Sequence, residues 1–289
     1  MSAVRTDKKM RDFPLTKLVL YPAILYSFLF FVVPFTIMVC VSFWQRGRGG
    51  LRATWVTDNY EKFFSRHYLL EALLNSLEVT LLTTVISVLI AYPLAYILAF
   101  RVPTRWQKII LLITVLPFWT AYVVRSYSWL LVLSDNGVIN STLMGIGLTE
   151  APLTLAYTRG ATVLGFVHFF TMLLTLTIYS NLIQIPKNFK NAAYDLGASP
   201  IQTFLRVTLP LSIPGVAVGA FLTFVITIGD YITPQILGGN TEVLIPQAII
   251  LQVSRSANFP MAAVMSIVLM VVVTFIYFVF SKQLKMERL

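Results

Sequence analysis

Four ionisable side chains stand in or at the edge of long apolar stretches: Glu78, Arg125, His168 and Asp230. A charge in hydrocarbon is costly, so such residues face a partner or a wet cavity. Two chemistries are open to them. In one, Glu78 and Asp230 line a path for a cation, and Trp119, Tyr127, Trp129 and Tyr231 offer ring faces to ammonium groups. In the other, Arg125 pairs with Asp230 or Glu78 to lock helices together, and the aromatics anchor the chain at a membrane interface. His168, followed by Phe169 and Phe170, is expected to make a satisfied helix–helix contact, and Trp44, Trp55 and Trp106 read as interface anchors. Catalysis finds no support. There is no Gly-x-x-x-x-Gly-Lys phosphate loop, no paired catalytic carboxylates and no Ser/His constellation. The two histidines, His67 and His168, lack a partner at ligand spacing, so no metal site is expected.

The composition says what must carry these side chains. Of 289 residues, 57% are hydrophobic and 12% charged, against about 25% charged in a soluble domain. The mean hydropathy is +0.78. A disordered chain, a soluble enzyme and a secreted disulfide scaffold are excluded; Cys40 is the single cysteine. The net charge of +10 comes from basic residues set mostly between apolar runs. That pattern belongs to membrane topology, and no nucleic acid partner is expected, because no basic stripe is interleaved with exposed aromatics.

A bilayer core of about 30 Å needs about 20 apolar residues in a helix. Six stretches qualify: 18–43, 78–100, 109–133, 161–185, 213–237 and 261–281. All must be helical, since lipid cannot satisfy free backbone groups and no alternating barrel pattern is present. The expected fold class is therefore an all-α membrane protein with six transmembrane helices. The first run is too long for a signal-peptide core and lacks a convincing cleavage site, so it reads as an uncleaved anchor. With the N-terminus inside, inner segments hold 14 Lys and Arg and outer segments 7, which places both termini in the cytoplasm. Outer loops of about 44–77, 134–160 and 238–260 carry turn chemistry (Asp135-Asn136-Gly137, Gly238-Gly239-Asn240), and none is long enough for a domain. Pro22, Pro34, Pro93, Pro117 and Pro234 lie in or near spans, as kinks or as tolerated residues.

The inner segment 186–210 reads as two short helices. Phe189, Ala192, Ala193 and Leu196 share one face. Gly197 follows as a stop with positive φ. Ser199 is then an N-cap with Pro200 at the first helical position, and Gln202 completes a capping box. Pro210 is expected to close the second helix. A helix lying in the lipid interface would show a broad bulky face. Here two alanines stand mid-face beside Asp195, which suits close docking into a protein groove.

This segment resembles the EAA loop of type I ABC importer permeases, whose pattern is E-A-A-x3-G-x9-I-x-L-P. It stands here as Asn191-Ala192-Ala193, three residues, Gly197, nine residues, then Val207, Thr208, Leu209 and Pro210. Asn191 replaces the acidic residue, so a hydrogen-bond acceptor stands where the family's Glu could make a salt bridge with its ATPase, and Val207 replaces isoleucine. Softer likenesses point to the spermidine/putrescine-type group: Leu116-Pro117-Phe118-Trp119-Thr120 with Val124-Arg125-Ser126-Tyr127-Ser128-Trp129, the stretch Asn136-Gly137-Val138-Ile139-Asn140, and Ile228-Gly229-Asp230-Tyr231-Ile232-Thr233-Pro234-Gln235 with Leu237-Gly238-Gly239.

The resemblance covers about 71–281, with 1–70 as an N-terminal tail, first helix and start of outer loop, and 282–289 as a C-terminal tail. It implies a bacterial inner-membrane permease that pairs with a second permease, a different chain as is usual in the resembled group, in an import system for a polyamine or related organic solute. The loop would insert as a coupling helix into one of two cytoplasmic ABC ATPase subunits, which bind ATP and Mg, and a periplasmic solute-binding protein would deliver the solute. No cofactor is expected in this chain itself. An ion-coupled secondary carrier is the alternative, weakened by the lack of an internal repeat.

Overall fold

The computed structural model describes residues 14–47, 50–239 and 242–284. Arg5, Lys8, Lys9, Arg11, Arg48, Asn240, Lys285 and Arg288, used in the topology and turn arguments above, lie outside the described residues. The chain is helical almost throughout. A first helix runs as α1 (Pro14–Ser27), a π-turn (Phe28–Val32) and α2 (Val33–Ser42). A hairpin of β1 (Gln45–Gly47) and β2 (Gly50–Arg52) leads to α3 (Asp58–Ser65) and the 34-residue α4 (His67–Phe100). Then come α5 (Thr104–Val115), a 3-10 turn (Leu116–Trp119), α6 (Tyr122–Leu133), α7 (Val138–Gly145) and α8 (Arg159–Leu182). The elbow follows as α9 (Lys187–Asp195) and α10 (Pro200–Thr203), with a π-turn (Phe204–Thr208) leading into α11 (Leu209–Gly229). The chain ends in α12 (Ile232–Leu237), α13 (Ile245–Ser254) and α14 (Phe259–Leu284).

Five helices are long and apolar enough to cross a membrane, and a sixth crossing exists only if a bent pair counts as one. That pair corrects the expected continuous span over 109–133. Thr104–Trp119 and Tyr122–Gly145 meet at 90°. Pro117 has no N–H for the ladder, the next residues tighten to a 3-10 turn, and Thr120 and Ala121 are extended. The expected span over 213–237 is likewise broken. Asp230 is extended (φ −83°, ψ 127°), and its Oδ1 accepts a hydrogen bond from Ile232 N at 2.8 Å, so it caps α12 much as an N-terminal Asp does.

Pro210 does not close a helix. The chain runs helically from Pro200 to Gly229, and the π-turn ends two residues before this proline. Pro34 stands in the same relation to its own π-turn. In both places the wider i to i−5 ladder, Val33 N to Phe28 O and Leu209 N to Phe204 O, opens the backbone where the ring would meet the carbonyl four residues back.

The core is the packing of α4 along α8, with α11 against both. On α4, Ala91, Ala95 and Leu98 recur at helical spacing and meet Leu174, Ile178 and Leu182 of α8. Small and hydroxylated residues fill the buried stripe of α4, from Ser76 through Thr80, Thr83 and Ser87 to Ala95, which lets backbones approach closely. Gly219 of α11 faces Leu174, where a Cβ would stand 2.8 Å from Cδ2. A second cluster, with Phe63, Leu69, Ile245, Met261 and Met265, joins α3, α13 and α14 to the start of α4. There the Ser76 hydroxyl accepts from Ile245 N at 2.8 Å, and Asn59 donates to the carbonyls of Ser42 (3.0 Å) and Trp44 (2.7 Å), fastening α2 to α3.

Candidate functional site

Two regions place the residues singled out above. The first is the elbow. Gly197 has φ +82°, with Ala198 N donating to Ala193 O (3.0 Å) and Gly197 N to Tyr194 O (2.9 Å). These are the two bonds of a Schellman turn, whose left-handed residue glycine adopts without strain. Ser199 then makes the expected reciprocal box: Gln202 N donates to its Oγ (3.3 Å), and its own N–H donates to Gln202 Oε1 (2.9 Å). The bend between the helices is thus fixed on both sides by backbone-directed bonds.

The apolar face of α9 is largely exposed. Phe189, Asn191, Ala192, Asp195 and Leu196 are exposed, Leu196 at 88%, and Ala193 is half-buried. Val207 and Leu209 are half-buried beyond the elbow, and Pro210 is exposed. The body-facing anchor, missed by sequence reasoning, is Lys190. Its ammonium lies 3.6 Å from the ring centroid of Phe100 and 5.6 Å from that of Tyr96, both on α4. Burial pushes its pKa down, and the nearby charge of Arg101 acts the same way.

The second region is where the two broken helices meet. Tyr122, the first residue of α6, donates its hydroxyl proton to Asp230 Oδ2 and lies 2.5 Å from Thr233 Oγ1 of α12. With its one proton given to the carboxylate, the Tyr122 oxygen accepts from Thr233. Arg125, 7% exposed, lies over Phe169 (4.4 Å) and Tyr122 (5.0 Å) and points Nη1 back at the carbonyl of Pro117 in the break (3.4 Å). Among the described residues it makes no ion pair, so the structure does not show the lock to Asp230 or Glu78, one of the two readings left open above. Trp119 is 86% exposed, and Tyr127 and Tyr231 are also exposed. Trp129 Nε1 donates to His168 Nδ1 at 2.9 Å, the helix–helix contact expected of His168.

Glu78 belongs elsewhere. At the end of the bundle away from the elbow, Arg159 Nη1 meets its carboxylate at 2.7 Å, Arg159 Nε meets Glu242, and Nη2 donates to Asn75 Oδ1 at 2.8 Å. Arg159 reads as a loop cation in the sequence; only the fold shows that the start of α8 lies beside Glu78. No cluster of three or more metal-ligating side chains occurs among the described residues.

Known proteins share this fold. The fold matches a bacterial ABC transporter that imports the acidic polysaccharide alginate, with a TM-score of 0.76 over 95% of this chain and 96% of that one, at 18% identity. Spermidine/putrescine transport system permease protein PotB of Haemophilus influenzae is 31% identical over 267 residues, 91% of this chain and 93% of that protein. PotB of Escherichia coli K12 is 30% identical over 245 residues, 84% and 88% of the two chains. Residues 80–286 match the profile of the binding-protein-dependent transport system inner membrane components. With that match covering most of its length, and a helical fold held in common with ABC importers, the chain belongs to this family of multi-pass inner-membrane permeases.

Proposed function

We propose that this chain forms the translocation path of an ATP-driven importer of polyamines or a closely related small amine, with the elbow as its contact to the ATPase. The observation that carries the reading is the elbow itself. A two-helix loop locked by a Schellman turn and a capping box presents Phe189, Ala192 and Leu196 exposed on its surface. Small residues mid-face admit the close approach of a protein groove. In this reading the elbow and both termini are cytoplasmic, two ATPase subunits hold ATP and Mg, and a periplasmic binding protein delivers solute. A second, different permease completes the pore.

The amine specificity is supported by the spermidine/putrescine permeases among the relatives and by the break cluster. Among the described residues Asp230 has no basic partner within ion-pair distance, and its oxygens keep acceptor capacity beyond Tyr122 and Ile232 N. Exposed Trp119, Tyr127 and Tyr231 supply ring faces for ammonium groups. Arg125 holds the break in shape, and Glu78, neutralised by Arg159, stands at the far end of the path.

The test is uptake of labelled spermidine and putrescine by cells whose only import system is this permease with its partner permease, ATPase and binding protein. Gly197→Val is the informative variant. Among the described residues no atom lies within 4 Å of an added Cβ, and a side chain at φ +82° is strained, so the change acts chiefly through the backbone, at a cost of about 1–2 kcal/mol in the left-handed region. Uptake should fall at least tenfold at unchanged membrane levels. Uptake that survives Gly197→Val, or that persists without the ATPase, overturns the proposal.

A further inference from the structure

We infer that Lys190 fastens the elbow to α4 and passes its movement to the bundle through the ring ladder Phe100, Tyr96 and Tyr92. The inference rests on the coupling role proposed for the elbow. The three rings recur every four residues and so share one face of α4. Tyr96 and Phe100 stand 5.0 Å apart, centroid to centroid. Both arms of the elbow grip this ladder. Before the Gly197 turn, the Lys190 ammonium sits on Phe100 and Tyr96. After it, Phe204 meets Tyr96 at 5.4 Å and Tyr92 at 5.9 Å, edge to face. The ladder then continues into α11, because the Tyr92 hydroxyl bonds Ser212 Oγ at 2.8 Å. A displacement of α9 is therefore delivered to α4 and α11 together.

Lys190 is charged where a charge is not otherwise called for. It is half-buried, Arg101 adds a like charge nearby, and among the described residues no carboxylate stands within ion-pair distance. The ring faces of Phe100 and Tyr96 offset this, since their quadrupole favours a cation. A lysine stem that merely covered apolar surface would be matched by an uncharged chain of the same length. That difference separates a positioning residue from a packing one.

The assembled transporter, reconstituted in liposomes with its partner permease, ATPase and binding protein, gives the readout: solute moved per ATP hydrolysed. Lys190→Met keeps the stem and removes the charge, and should lower this ratio about threefold to tenfold, the range a cation–π contact supports. Lys190→Arg should restore it. Phe100→Leu should reproduce the Met phenotype, and the double variant should be no worse than either single one. A ratio unchanged in Lys190→Met, or failure of Arg to restore it, overturns the inference. A cysteine at position 192, introduced as Ala192→Cys, should cross-link to the ATPase equally in Lys190 and Lys190→Met backgrounds. Loss of that cross-link only with Met shows Lys190 to serve docking rather than transmission and overturns the inference alone. Absence of the cross-link in the Lys190 parent overturns the coupling role and the inference with it.

Discussion

Tyr122 carries one hydroxyl and holds two partners from the far side of a second helix break, Asp230 and Thr233. Removing the hydroxyl leaves Asp230 with Ile232 N as its remaining donor in this structure and leaves the buried Thr233 hydroxyl without its acceptor. Tyr122→Phe should therefore cost about 1–3 kcal/mol, nearer the lower figure because Asp230 is only half-buried. Thermal unfolding of the purified permease should show a midpoint lower by a few degrees, and Asp230→Asn added to Tyr122→Phe should lower it by less than the two single effects together. Full additivity would mean that the two side chains act independently. At this scale the sequence was legible where the chemistry is local. The Ser199–Gln202 box and the Gly197 turn follow from spacing alone, because both partners lie within one helical turn. Tyr122 reads as an ordinary aromatic, since its carboxylate is 108 residues away, and Arg159 reads as a loop cation until α8 is set beside Glu78.

Apolar length predicts where helices cross a membrane, and it is blind to where their ladders break. The runs around α4, α8 and α14 are legible because each is one long apolar helix without a break. The breaks at Thr120 and Asp230 were missed because backbone geometry does not register in hydropathy. Pro117, and Asp230 followed by Pro234, are the signals that carry them, a helix stop and a helix start inside one apolar run. Pro210 shows the opposite error, a proline that helical structure absorbs by widening the turn before it. A π-turn inserts one residue into the ladder, so closing it turns everything on one side by roughly 100° relative to the other. Pro210→Ala restores the missing N–H and removes the ring clash, which allows the turn to close. The elbow should then rotate about the axis of α11 while membrane levels hold. Single cysteines along 187–196 should cross-link to the ATPase in a pattern displaced by one position, with uptake reduced. An unchanged pattern would show that the widened turn is held by the packing of Phe204 on Tyr92 and Tyr96 rather than by the proline.

The whole molecule is fastened at its two ends by different means and interrupted between them. Lys190 and the ring ladder hold the elbow end, and Arg159 between Glu78 and Glu242 holds the other. Between these ends the two breaks free α6 from α5 and α12 from α11, yet α6 and α12 pack on each other and on α8. Leu133 and Leu237 are buried together there, with Leu130 and Ile236 against them, and Tyr122 bonds Thr233 at the breaks. Helices joined through a packed core and hydrogen bonds move as one body, and the extended residues at the breaks are the places that absorb dihedral change. Any rocking of this permease should thus leave the α6–α12 contact intact. With Cys40 replaced by Ala, cysteines introduced as Leu130→Cys and Ile236→Cys sit at half-buried positions of that contact. A short bifunctional thiol reagent joining them should leave amine uptake within about twofold of the unlinked double variant, a change smaller than the tenfold that ~1.4 kcal/mol produces. The linked fraction is read from the loss of free thiols. If linking stops uptake and cleavage of the reagent restores it, α6 and α12 part during each cycle, and the breaks are then ends of two separately moving arms rather than hinges of one.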